Sequence, residues 1–160
     1  KTITPLSVFV GAIPGAIPFM LGWVSVTGSF GIEPGILFMI QFFWQFPHFW
    51  AIGWLMHEDY QRAGINMLPT GKRDRATALQ VILYTLWTIV ISIFPVLGLS
   101  GTLTLTIPAA IVVGTMGLIF LWYGILLYRN QAESSAKKLM IVSIIYIMSI
   151  QWIYVIDKFI

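Results

Sequence analysis

The sequence predicts an all-α membrane protein of about five transmembrane helices, and three features predict it. Of its 160 residues 58% are hydrophobic and only 9% charged, against roughly 25% charged in an ordinary soluble domain. The apolar residues gather into runs long enough to cross a hydrocarbon core of about 30 Å, which takes about 20 helical residues. Lys and Arg fall almost entirely between alternate runs, as they do in multi-pass chains. Too few charges remain to coat a water-soluble globule of this size. The runs are continuous instead of alternating over the roughly 10-residue strands of a membrane barrel, so they read as helices.

The first run, residues 5–27, contains G-A-I-P-G-A-I-P. Gly11 and Gly15 would let a neighbouring helix approach closely. Pro14 and Pro18 each remove a helical hydrogen bond and free a carbonyl that must be satisfied inside the protein, either in a purely structural bend or around a ligand. The second run, residues 34–56, reads Q-F-F-W-Q-F-P-H-F-W-A-I-G-W-L-M at its end and leads into the polar loop 57–75. The third, fourth and fifth runs cover residues 76–99, 105–128 and 139–156. No short repeat or interdomain linker interrupts them, so residues 1–160 read as a single transmembrane helical domain.

Charge placement gives an orientation. Alternate crossing puts Lys1, Arg62, Lys72, Arg73, Arg75, Arg129, Lys137 and Lys138 on one side and leaves Lys158 on the other. The positive-inside rule then turns the loop 57–75 toward the cytoplasm. The net charge of +3 therefore reports topology, and no basic-aromatic cluster outside the apolar runs supports a nucleic-acid partner. Cys is absent, which excludes disulfides, thiolate nucleophiles and Cys-type zinc sites. Lys1 is not an initiator Met and follows no signal-peptide pattern, so the chain is expected to be a piece of a longer protein.

The chemistry-bearing residues sit at the end of the second run. On a helix continued to the boundary, Gln41, Gln45, His48 and Asp59 lie within about 60° of one another. Polar groups in lipid face a bundle interior or a wet cavity, so this stripe is expected to line a cavity that opens at Asp59, with His48 on the order of 15 Å deeper. An elongated amphipathic ligand suits that geometry. His48 serves either as interhelical glue or as an iron ligand or proton carrier. The aromatic row Phe42, Phe43, Trp44, Phe46, Phe49, Trp50 and Trp54 either packs against helices and lipid or stabilises a carbocation and stacks on a flat ring system. In the loop, Glu58, Asp59, Arg62, Lys72, Arg73, Asp74 and Arg75 make either a solvated, topology-setting segment or a diphosphate site in which magnesium and basic side chains neutralise a leaving group.

Three segments in this order, G-A-I-P-G-A-I-P-F-M-L-G-W, W-Q-F-P-H-F-W-A-I-G-W-L and E-D-Y-Q-R-A-G-I-N-M-L-P, resemble the haem O synthase (protohaem IX farnesyltransferase) branch of the UbiA-type intramembrane prenyltransferases. The resemblance implies a nine-helix bundle with two acidic motifs on cytoplasmic loops, of which this chain supplies the fifth to ninth helices and, through Asp59, the second motif. The first motif, Asn-x-x-x-Asp-x-x-x-Asp in such enzymes, has no counterpart between Lys1 and Ile160. The second is sparse, with Ala63 where many relatives with other acceptors have a further aspartate.

The chain thus looks like the C-terminal half, inactive alone and completed by a missing N-terminal half. The implied activity transfers farnesyl from farnesyl diphosphate to a vinyl group of haem B in a bacterial cytoplasmic membrane. Asp59 would bind Mg2+ and, with His48, act in catalysis, while Gln41, Trp44, Gln45, Arg62, Lys72 and Arg73 would contact substrate. Two rivals are a UbiA-type prenyltransferase for a quinone precursor or other aromatic acceptor, and a membrane carrier that binds a lipid-like or haem-like ligand without chemistry.

Overall fold

The computed structural model describes residues 6–159. Lys1 and Pro5, assigned above to the basic side and to the start of the first run, lie outside the described residues. The described residues form five long helices and one short one: α1 (Leu6–Thr27), α2 (Ile32–Leu55), α3 (His57–Arg62), α4 (Arg75–Ile93, extended by a 3-10 turn Phe94–Leu97), α5 (Ile107–Asn130) and α6 (Glu133–Asp157). This is an all-α, multi-pass membrane protein. Helices α1, α4, α5 and α6 are long and apolar enough to cross a membrane. Helix α2 is as long at 24 residues, but its Gln, His and Pro residues lower its hydropathy.

The arrangement follows from that difference. Helix α2 packs on α1, α4 and α6, and α4, α5 and α6 pack in succession, so α2, α4, α5 and α6 close a ring with α1 outboard on α2. The more polar helix is thereby surrounded by protein, while Leu83, Trp87, Leu118, Trp122, Ile144 and Trp152 of the outer helices are exposed and suited to lipid. Small residues set the α4–α5 spacing: a Cβ on Gly117 would come 2.8 Å from Ile89, so the backbones meet where a larger side chain would hold them apart. The hydroxyls buried on α4 cost little, because Thr85, Thr88 and Ser92 donate to the carbonyls of Val81, Tyr84 and Thr88.

The two ends of the bundle are tied differently. At one end Arg73 donates to Glu133 at 2.7 Å and Arg75 lies over the Tyr128 ring, which joins the α3–α4 loop to the α5–α6 turn. At the other, Glu33 accepts from the Thr102 backbone N–H and hydroxyl, Asp157 accepts from Thr106, and Lys158 donates to the Thr102 carbonyl. The loop between the 3-10 turn and α5 is thus fastened to the start of α2 and the end of α6. Gly101 has φ of +62° there, and a Cβ on it would fall 2.3 Å from the Glu33 carboxylate.

Helix α4 starts where its N-cap allows. Asp74 accepts from the Thr77 backbone N–H at 2.8 Å and from the Thr70 hydroxyl at 3.0 Å, and the Thr77 bond above all holds its carboxyl below the usual carboxylate range. Asp74→Ala is expected to cost about 1 kcal/mol at neutral pH. A depressed folded-state pKa gives stability that is present above the unfolded value of about 3.9 and lost as pH falls through the folded value. Melting curves of parent and variant in detergent should therefore differ at pH 7 and converge as the carboxyl protonates; a gap that persists in acid would show that the carboxylate is not the cap.

Candidate functional site

Helix α2 delivers its polar residues in three directions. Gln45, only 4% exposed, turns toward α1 and donates from Nε2 to the Ala12 carbonyl at 3.1 Å and to its own helix at Gln41 at 3.2 Å. The carbonyls freed by Pro14 and Pro18 belong to Val10 and Pro14, so Gln45 does not take up either of them. Its seat depends on Gly15, where a Cβ would stand 2.3 Å from Gln45 Oε1. His48 turns the other way, toward α6, with Nδ1 2.8 Å from Ser143 Oγ. Gln41 lies between them, and its Oε1 is buried without a hydrogen-bond partner.

The His48 pocket is closely specified. Trp44 stacks on the imidazole with centroids 4.8 Å apart and planes 15° from parallel, and Phe49 meets it at 5.6 Å. The Trp44 indole N–H donates to the Ser143 carbonyl at 2.6 Å. Ser143 is therefore bonded through its hydroxyl to His48 and through its backbone to Trp44. Sequence reading missed it, although the signal was available: Leu139, Ser143, Tyr146, Ile147 and Ile150 are buried on one face of α6, and a serine in the middle of such a stripe needs a partner.

Asp59 does not continue the stripe, and this corrects the sequence expectation. Helix α2 stops at Leu55; Met56 closes it with φ −97° and ψ 21°, and α3 starts afresh at His57. Asp59 faces out with 63% of its side chain exposed, 3.6 Å from Arg62. A well-formed cavity is likewise not where the stripe was expected to open. It has a volume of about 630 Å³ and lies at the opposite end of the bundle, between α1 and α6, lined by Trp23, Leu37, Leu103, Tyr154 and Lys158 among others. Gln41 is the one residue of the stripe that reaches it.

Much of the polar loop is structural. After α3 the Gly64 and Ile65 N–H groups bond back to the carbonyls of Gln61 and Tyr60, with Gly64 at φ +70°, the left-handed residue of a Schellman ending. The chain then folds onto the end of α2, where Gly53 admits Leu68: a Cβ on Gly53 would meet Met67 at 3.0 Å and Leu68 at 3.2 Å. Arg73 also bonds the Leu55 carbonyl, an orphan acceptor at a helix C-terminus, and leaves its buried Nε without a partner. Partial burial, together with the charge on Arg73, holds His57 below the usual imidazole range. Lys72 and Arg62 are exposed. Among the described residues no group of three His, Asp or Glu side chains is placed to hold a metal ion, so these donors do not complete a magnesium site by themselves.

Comparison with known proteins extends this picture. Residues 1–150 match the UbiA prenyltransferase family. A protein of Christiangramia forsetii named Protoheme IX farnesyltransferase is 62% identical over 160 residues, all of this chain and 53% of the relative. Proteins of the same name from Flavobacterium psychrophilum and Flavobacterium johnsoniae are 62% and 59% identical over 159 residues, 99% of this chain and 53% of each relative. The chain thus spans about half the length of the curated relatives it matches. No solved structure matches it.

The α1–α2 contact makes a quantitative expectation. Gly15→Ala should dislodge Gln45, break its bond to Ala12 and cost about 1–2 kcal/mol. In a Gln45→Ala background the same change should cost far less, giving a coupling energy of at least about 0.5 kcal/mol. Additive losses in thermal unfolding would show that Gln45 is not seated on Gly15.

Proposed function

Since the chain belongs to the UbiA prenyltransferase family, we propose that it is the C-terminal half of a protohaem IX farnesyltransferase. The observation that carries this reading is the identity of 59–62% to three proteins of that name along essentially the whole chain. In the proposed reaction the allylic C–O bond of farnesyl diphosphate breaks, and its electron pair leaves on diphosphate. The vinyl group of haem B bonds to the farnesyl carbon, and the cation left beside the porphyrin takes the oxygen of a water, whose proton passes to a base.

The chain's residues suit different parts of that sequence. His48 lies two turns inside the C-terminal end of α2, stacked on Trp44, where a flat apolar acceptor belongs; Nδ1 is engaged by Ser143, which leaves Nε2 to face haem, as a ligand to its iron or as the group that receives the water's proton. Gln41, with its unpartnered Oε1, is assigned the part of orienting the acceptor or that water, while Gln45, turned to α1 and bonded to Ala12, would reach substrate only by leaving that bond. Asp59 is one carboxylate at the polar end, close enough to Arg62 for the two to share a diphosphate. Magnesium, when bound there, would neutralise charge on the leaving group, with its remaining ligands supplied by the part of the protein outside this chain. Lys72 and Arg73 flank the same end, although Arg73 is held by Glu133.

The basic residues Arg62, Lys72, Arg75, Arg129, Lys137 and Lys138 support an orientation in which this end faces the cytoplasm of a bacterial cell, with this half alone inactive. In the full-length protein, His48→Ala should lower haem O formation by about 100-fold or more while leaving farnesyl diphosphate binding intact. Asp59→Asn should weaken magnesium-dependent diphosphate release and leave haem binding unchanged. Product identification by mass spectrometry decides: undiminished haem O from His48→Ala sinks the role given to His48, and prenylation of a quinone precursor in preference to haem sinks the acceptor.

A further inference from the structure

We infer that Ser143 is the positioning residue that fixes the tautomer and plane of His48, an inference that rests on the role proposed above for His48. The argument is a proton count. The Ser143 hydroxyl has one hydrogen, and it is donated to the Met140 carbonyl at 2.6 Å. Toward His48, 2.8 Å away, Oγ has only lone pairs to offer, so the imidazole is the donor and Nδ1 carries the proton. In a neutral imidazole Nε2 is then the unprotonated nitrogen, the form required of an iron ligand or a base.

The same residue sets the plane of the ring. Trp44 covers one face of His48, and the Trp44 N–H is anchored 2.6 Å from the Ser143 carbonyl. One residue of α6 therefore holds the imidazole edge through its side chain and the stacked indole through its backbone. Ser143 is itself fully buried, which keeps water from competing for either bond. Removing its hydroxyl would leave Nδ1–H without its acceptor and free the ring to turn or to move its proton to Nε2.

The test uses the full-length protein with Ser143→Ala, His48→Ala and the double variant, assayed for haem O at saturating farnesyl diphosphate, with melting temperatures recorded for each. Ser143→Ala is expected to lower kcat by about 10-fold or more, to leave the KM for farnesyl diphosphate unchanged, and to add nothing in the His48→Ala background. Ser143→Thr, which keeps the hydroxyl, is expected to retain more activity than Ser143→Ala. Full activity of Ser143→Ala beside an impaired His48→Ala would overturn the inference and leave the role of His48 standing. Equal losses from Ser143→Ala in both backgrounds would also overturn it, because a residue that only packs α6 acts without regard to His48. Undiminished activity of His48→Ala would overturn it through its premise.

Discussion

Hydrocarbon offers no partner to an amide, an imidazole or an indole N–H, and α2 carries all three at membrane depth in Gln41, Gln45, His48 and Trp44. Each unpartnered group there costs several kcal/mol, so α2 folds only where other helices enclose it. Its place against α1, α4 and α6 follows from that requirement. So do two choices on its neighbours: Gly15, which makes room for Gln45, and Ser143, which meets His48 and Trp44 together. Apolar packing sets how the remaining helices lie, but the polar bonds set which face of α2 meets which neighbour.

The helices were legible because their signal is local. The run expected over 105–128 is Ile107–Asn130, and the one expected over 76–99 is Arg75–Ile93 with a 3-10 turn to Leu97. The last run was placed too late at 139, since Glu133, Lys137 and Lys138 read as loop; in fact they form the first turns of α6, where charged side chains reach the polar boundary. The end of the second run at residue 56 was legible from the polar residues that follow it, and α2 does stop there; the expected stripe failed because it carried the helix on through that boundary to Asp59. Pro47, a more conspicuous signal, sits inside an unbroken α2. The direction of each polar side chain was legible only in part. Its angle around α2 was readable, but its partner on α1 or α6 is a matter of tertiary packing that no local window contains.

The family resemblance rested on segments whose residues divide between structure and chemistry. Gly53, Gly64 and Leu68 shape the return of the loop onto α2, and Gly15 seats Gln45. These would be retained in any protein that builds this corner, whatever it binds. A motif match therefore identifies the scaffold more directly than the residues that act, and the parts proposed for His48, Gln41 and Asp59 have to be argued from their own surroundings.

Those residues are finished to different degrees within this chain, and the difference bears on how the proposed labour is divided. His48 has its proton acceptor, its stacking partner and the anchor of that partner all between α2 and α6, so the environment proposed for the acceptor is built here. Asp59 is exposed and paired with a neighbouring arginine at 3.6 Å, and among the described residues it lacks the companions that a divalent cation demands. A diphosphate site needs several charges brought together at one point, and the relatives are about twice as long as this chain. On the proposed reading this chain therefore orients the imidazole on its own, whereas the charge that would gather around a departing diphosphate would depend on groups from outside it.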